Sequence, residues 1–300
     1  MRSRLPKVLQ PLAGKPLLEH AIATAKALDP QKICVVFGHG ADQVLKHFAD
    51  WDLQWALQEP QLGTGHAVQQ AMPQLSDADV ALIMYGDVPL VQTATIQRLA
   101  AAAVKGPAIL TVIETHPTGY GRIVRNTAGA VVAIVEEKDA TAAQRLIAEV
   151  NTGLLACPVK LLRPWLAALK ADNAQREYYL TDIVASAVAD GVAVTAVTAE
   201  SPEEVMGIND KAQLAQAEAI YRKRIAAGLL QAGVTLADPA RVDVRGSLTC
   251  GKDVFIDVNA VFAGSVELGD NVTEDARGCL HPRAQLPGDV PRPQQRRPAA

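Results

Sequence analysis

From Val242 the chain falls into sixes: VDVRGS, LTCGKD, VFIDVN, AVFAGS, VELGDN. The first position is aliphatic or small every time (Val242, Leu248, Val254, Ala260, Val266), and the third is apolar every time (Val244, Cys250, Ile256, Phe262, Leu268). Few folds satisfy such a register. It suits short strands wound into a parallel β-helix, where each repeat buries its apolar positions against the next. An ordinary pair of alternating strands is the plainer reading of the same residues. The following six, VTEDAR, put Glu274 at an inward position, and the repeat stops there.

Upstream the period changes. KICVVFG (32–38), DVALIMYGD (79–87) and AILTVI (108–113) are short, β-rich runs that read as strands buried on both faces, as in a parallel sheet. Between them PLLEHAIATAKAL, ADQVLKHFA, GHAVQQAM and ATIQRLAAAAV space their apolar residues by three and four, which predicts helices. Strand–helix alternation implies an α/β fold with right-handed crossovers. GRIVRN and VVAIVEEK read as an antiparallel pair inserted in that plan, and the helical NDKAQLAQAEAIYRKRIAAGLLQAG leads away from it. The expected organisation is an α/β domain over 1–230, a linker with the first hexapeptide repeats over 231–275, and a tail over 276–300. That tail, rich in Pro, Arg and Gln without periodicity, is expected to be disordered. Its change of character is what a reading-frame change would produce.

Composition removes several function classes. The chain has 300 residues and 49% hydrophobic content, enough for one large domain or two with a substantial core. A net charge of -3 argues against a nucleic-acid footprint. No apolar run approaches the roughly 18 residues needed to span a bilayer, and the start lacks the apolar stretch of a signal peptide. Cys34, Cys157, Cys250 and Cys279 are far apart, which suits buried reduced thiols. Asn271-Val272-Thr273 matches a glycosylation sequon but lacks a secretory context. The expectation is a soluble, cytoplasmic protein.

In an open parallel sheet, ligands bind beyond the carboxyl ends of the strands. ALIMYGDVPL ends a buried strand at Tyr85-Gly86-Asp87, so Asp87 emerges at that edge, with Gly86 permitting a close backbone approach. A carboxylate there suits Mg²⁺, which takes oxygen ligands and bridges to substrate phosphates; a helix cap or turn Asp is the other reading. LQEPQLGTGHA (57–67) opens a Gly-rich turn into a helix. Gln58 and Gln61 carry the donor and acceptor groups that reading a pyrimidine edge requires. Gly63 and Gly65 would let backbone amides face a ligand, or simply start the helix. PTGYGRI (117–123), IVEEKD (134–139) and EVNTG (149–153) read as small turns with a carboxylate and an amide fit for sugar hydroxyls, or as satisfied turn residues.

The joint order of LPKVLQPLAGKPLLEH, LQEPQLGTGHA, YGDVPL, PTGYGRI, VEEKDA, EVNTGLL, EYYLTDI and VMGIND, followed by hexapeptides, resembles the bacterial bifunctional N-acetylglucosamine-1-phosphate uridylyltransferase / glucosamine-1-phosphate acetyltransferase family. The resemblance covers about residues 1 to 275. It implies a Rossmann-like nucleotidyltransferase domain followed by the start of a left-handed parallel β-helix, which trimerises in the full-length family. It further implies Mg²⁺-dependent uridylyl transfer from UTP to N-acetylglucosamine-1-phosphate. By that resemblance Lys7 neutralises phosphate, Gln58 and Gly63 read the uracil, and Gln61 and Thr64 line the same pocket. Asp87 and Asn209 match metal ligands. Gly121, Glu136 and Asn151 match the positions that hold the N-acetylglucosamine moiety, and Tyr85 borders the pocket.

Family members carry a first strand and a loop of the form LAAGxGTRM just before the matching LPKVL, and Met1 aligns with the Met closing it. The expectation is therefore a missing central strand and loop, with a rate reduced by a hundredfold or more. Five hexads make fewer than two coils at the family's three per coil, so no acetyltransferase activity is expected. A catalytically dead remnant or assembly partner, and a nucleotidylyltransferase for another sugar phosphate, are the competing readings.

Overall fold

The strand Ala108–Ile113 shows why the first half folds as it does. Its residues from Ala108 to Val112 are all buried. Alternation sends Ile109 into one apolar cluster, with Ile123, Leu155, Leu162, Trp165 and Ile183. Ala108, Leu110 and Val112 enter another, with Ile96, Leu99, Val150 and Leu154. A strand that feeds two cores must have layers on both faces. The helices Val159–Ala167 and Asp182–Ala189 cover one face and Thr93–Ala102 the other.

The computed structural model describes residues 1, 3–38, 41–274 and 280–282. These form two compact units, residues 1–10 with Pro16–Gln213, and Pro11–Lys15 with the chain from Leu214 onward. Cys279 and the tail expected to be disordered lie outside the described residues, apart from Leu280–Pro282.

We label the main strands of the first unit β1 (Cys34–Phe37), β2 (Gln54–Leu57), β3 (Val80–Ile83), β4 (Ala108–Ile113), β5 (Arg122–Arg125), β6 (Val131–Val135), β7 (Glu149–Pro158) and β8 (Thr195–Thr198). The main sheet runs β8-β4-β7-β5-β6, with β3 also paired to β7. β8 and β4 are parallel. β7 is antiparallel to β3, β4 and β5, and β5 and β6 form the expected antiparallel pair. The sheet is thus mixed, and β3 and β4 are separated by β7. EVNTG is not a turn but the first half of this ten-residue strand. The polar Asn-Thr-Gly trio interrupts the apolar alternation and hides the strand in the sequence. In the fold Gly153, at φ 85°, lies at a register shift that lets both halves pair.

In the second unit Val242–Cys250 runs parallel to Ala260–Leu268, each residue pairing with the one three hexads on. Phe255–Ile256 lies between Thr235–Leu236 and Val272–Glu274, also in parallel. Val242, Val244, Val254, Ile256, Ala260, Phe262 and Leu268 are buried, against Ala226 and Leu229 of the helix Lys211–Gln231. The residues that set the sixfold period therefore make this core. Glu274 is buried as its register position requires.

β1 and β2 stand apart from the main sheet as a two-stranded parallel pair. A cavity of about 860 Å³ is lined by β1 from Cys34 to Phe37, by β3, and by Val8, Leu18, Ile22 and Val68. β1 is consequently only half buried along its length rather than covered on both faces. The amides of Gln54 and Gln58 donate to the carbonyls of Ile33 and Phe37. Backbone groups in a strand alternate between edges, so Val35 and Phe37 face β2 while Cys34 and Val36 face the cavity. Amide hydrogen exchange is expected to alternate along β1, fast at Cys34 and Val36 and slower at Val35 and Phe37, whereas β4 is protected throughout Ile109–Val112. Uniform protection of β1 measured by NMR would show that its free edge is covered.

Candidate active site

Asp87 follows the end of β3, where the chain turns with the Val88 amide donating to the Tyr85 carbonyl at 3.3 Å. The Ile208 amide donates to the Asp87 carbonyl at 2.9 Å, and this draws Asn209 beside it. Lys7 lies in the short turn Lys7–Leu9. Its Nζ donates to Asp87 Oδ2 at 2.5 Å and to Asn209 Oδ1 at 2.8 Å. Three residues far apart in sequence thus converge on one point, and Asp87 uses its carboxylate there rather than to cap a helix. Gly86 serves a different purpose from the expected one. A Cβ there would stand 2.9 Å from Leu18 Cδ1, so it permits packing of the helix Leu17–Lys26.

Asp87 and Asn209 offer two hard oxygens, a donor set that fits a divalent cation completing its shell with water and phosphate. Among the described residues no group of three or more His, Cys, Asp or Glu could hold a metal by itself.

A second cluster gathers around Gly121. The Asn151 amide of β7 donates to the Gly121 carbonyl at 2.8 Å. A Cβ on Gly121 would meet both Glu136 carboxylate oxygens at 3.3 Å, so this carboxylate lies over the bare Cα. Burial pushes the Glu136 carboxyl above its ordinary range, opposed by the Thr181 hydroxyl, which donates to Oε1 at 3.2 Å, and reinforced by Asp182 and Asp139. Tyr85 rests on Gly153, where a Cβ would approach its ring to 2.0 Å. Its phenol is pushed up to about 12, first by burial and then by Glu136 and Asp87, which places both carboxylates near it. Behind Glu136 a cavity of about 340 Å³ is lined by Asp139, Tyr179 and Asp182. The Tyr179 hydroxyl is buried with no hydrogen-bond partner among the described residues, an orphaned group suited to a hydroxyl-bearing ligand. Thr181 and Tyr179 had no role assigned from sequence, although both lie in the EYYLTDI segment; nothing local marks them, and only the fold brings them to Glu136.

The Gly-rich turn packs against residues 178–180. The Gly65 amide donates to the Tyr178 carbonyl at 2.8 Å, so it does not face a ligand. Gly63 adopts φ 107°, and a Cβ would lie 2.7 Å from the Tyr178 carbonyl oxygen. Thr64 Oγ1 accepts the Leu180 amide at 3.1 Å. The turn is therefore built to hold residues 178–180, which carry Tyr179 to Glu136. Gln58 is buried, donating to the Gly63 carbonyl at 2.9 Å and lying 3.3 Å from His66 Nδ1. Gln61 reaches over Gly38 at the end of β1, where a Cβ would meet its Nε2. Gln58 and Gln61 thus sit at the carboxyl ends of β2 and β1, both just ahead of the turn.

A strand-end site with a Lys–Asp–Asn cluster and a carboxylate-lined rim, on an α/β sheet, is a layout suited to nucleotidyl transfer. Residues 1–177 match the family described as the MobA-like NTP transferase domain, and the chain belongs to that family. It is 59% identical over 273 residues to the bifunctional protein GlmU of Azoarcus sp. (strain BH72), covering 91% of this chain and 60% of that protein. With the bifunctional protein GlmU of Aromatoleum aromaticum it shares 59% identity over 287 residues, 95% of this chain and 63% of the relative. The chain thus spans about three fifths of these relatives. A nucleotidyl transferase structure from Methanothermobacter thermautotroptrophicus shares the fold, with TM-score 0.50 and 20% identity, over 73% of this chain and 87% of that one. No described helix is long and apolar enough to cross a membrane.

Gly63→Ala tests the packing role of the turn. Strain at a left-handed φ combined with a backbone clash should cost about 2 kcal/mol or more, seen as a lowered denaturation midpoint. An unchanged midpoint would overturn the packing role of Gly63.

Proposed function

We propose that the chain transfers a uridylyl group from UTP to N-acetylglucosamine-1-phosphate with Mg²⁺, giving UDP-N-acetylglucosamine and pyrophosphate. The observation that carries this reading is the convergence of Lys7, Asp87 and Asn209 beside the rim where Tyr85 adjoins Glu136. Similarity to the GlmU proteins supports nucleotidyl transfer in amino-sugar nucleotide synthesis. Residues 1–230 would form the uridylyltransferase part and 231–275 the linker and first repeats.

A sugar-1-phosphate oxygen must attack the α-phosphorus of UTP while pyrophosphate leaves, and the two reactants are both anions. No enzyme nucleophile is required. Positioning and charge stabilisation supply the catalysis. Lys7 brings a cation to the phosphates. Glu136 accepts from sugar hydroxyls, the Gly121 backbone and Asn151 fix the sugar ring beside it, and Tyr85 walls the pocket. Gln58 and Gln61, with Gly63 and Thr64, hold the uracil. Mg²⁺ held by Asp87 and Asn209 would neutralise phosphate charge when bound.

The direct test is pyrophosphate release from UTP and N-acetylglucosamine-1-phosphate, run beside CTP, dTTP and other sugar phosphates. UTP with N-acetylglucosamine-1-phosphate should be the preferred pair, and Asp87→Ala should lose most of the rate while its circular dichroism is unchanged. Preference for another base or sugar would sink the substrate assignment.

Glu136 supplies a pH test. It binds hydroxyls best as the carboxylate, and its raised pKa means protons compete above the usual carboxylate range. UDP-N-acetylglucosamine affinity should therefore tighten as pH rises through that raised value and level off above it. Calorimetry on Glu136→Gln should give weaker binding with a flat profile over the same window; a profile unchanged by the substitution would remove Glu136 from the sugar site.

A further inference from the structure

Lys7 does not merely stand near the proposed metal ligands; it holds both of them. Its ammonium bonds Asp87 Oδ2 at 2.5 Å and Asn209 Oδ1 at 2.8 Å, the two oxygens a divalent cation would need. A cation bound at the ~2.1 Å typical of Mg²⁺ to that Asp87 oxygen would stand no more than ~4.6 Å from Nζ, because the two share the oxygen. Two positive groups at that separation repel strongly in a half-buried site. The pair also has little to offer in compensation, since it supplies one carboxylate and one amide, and no cluster of three acidic, His or Cys ligands exists among the described residues. The Asp87 backbone is fixed through its carbonyl by Ile208, and the Asn209 backbone amide by Gln213 Oε1 at 2.6 Å, so both residues are held beside Lys7.

We infer that Lys7 is a resident counter-cation that keeps the divalent metal out of the free protein, and that phosphate groups of the nucleotide release it. A triphosphate offers Lys7 new acceptors and offers the metal new ligands, so one event moves the ammonium off the pair and completes the metal's shell. Metal and nucleotide binding are then positively coupled, each raising the affinity of the other by the same factor. Lys7 acts here as a positioning residue as well as a phosphate partner. The inference rests on the assignment of Asp87 and Asn209 as metal ligands made above.

The test is Mn²⁺ binding to the whole chain, read by the electron paramagnetic resonance of free Mn²⁺ relative to the same mixture without protein. Wild type, Lys7→Met, Lys7→Gln and Asp87→Ala are compared with and without UTP, each checked for its fold by circular dichroism. Lys7→Met and Lys7→Gln should each bind Mn²⁺ at least about tenfold more tightly than wild type without nucleotide, and UTP should tighten the wild type far more than either variant. Asp87→Ala should lose the site in every case. Equal Mn²⁺ affinity in wild type and both Lys7 variants, still abolished by Asp87→Ala, overturns the exclusion by Lys7 while leaving the metal ligands in place. Mn²⁺ binding indifferent to Asp87→Ala, or absent even with UTP, overturns the metal assignment and this inference together.

Discussion

The first unit depends on one strand being paired along its whole length. Glu149–Pro158 bonds to three other strands, and the shift at Gly153 lets its two halves satisfy different partners. Unpaired backbone groups in a core are expensive, so the polar Asn151 and Thr152 and the bare Gly153 are tolerated only because the ladder around them is kept. The Thr152 hydroxyl even donates back to the Leu110 carbonyl at 2.8 Å. The same strand then supplies the site, with Asn151 bonded to Gly121 and Gly153 receiving the Tyr85 ring.

The acidic groups of this unit are handled by three different physical means. Asp87 is paired with a lysine that remains partly open to solvent. Glu136 is half-buried over a bare glycine with two further carboxylates near it, so its charged form is disfavoured despite the Thr181 hydroxyl. Glu137, its neighbour, holds the nearly inaccessible Arg122 at 2.6 Å, whose guanidinium also donates to the Tyr120 carbonyl. Removing one member of such a buried pair costs several kcal/mol, about 3 to 5. Adjacent glutamates therefore do different jobs, Glu136 lying over the Gly121 Cα and Glu137 anchoring the segment that carries Gly121.

The separation of the β1–β2 pair from the main sheet is the weak point of the same unit. One edge of β1 meets an apolar cavity, and each buried amide left without a partner forfeits about 1 to 3 kcal/mol. Helix packing compensates in part, with Leu9, Leu18, Ile22, Val44 and Phe48 forming a cluster against Val35 and Trp55. Local opening is cheapest where contacts are fewest, which singles out this pair within the unit.

Periodicity made the outline legible. The sixes beginning at Val242 became the buried positions of the second unit, and AILTVI became a strand buried on both faces, because a repeat reports which side chains must face inward whatever they pack against. Lys7, Asp87 and Asn209 were singled out through the order of their motifs, and the fold brings their side chains to one point. Tertiary structure decided the rest. EVNTG was read as a turn because its polar residues break the local pattern, while in the fold their partners lie on other strands. The Gly65 amide was expected to face a ligand and Gly86 to permit a close backbone approach, yet the one bonds the Tyr178 carbonyl and the other makes room for Leu18. A glycine's freedom is written in the sequence; the atom that needs the space is fixed only by long-range packing.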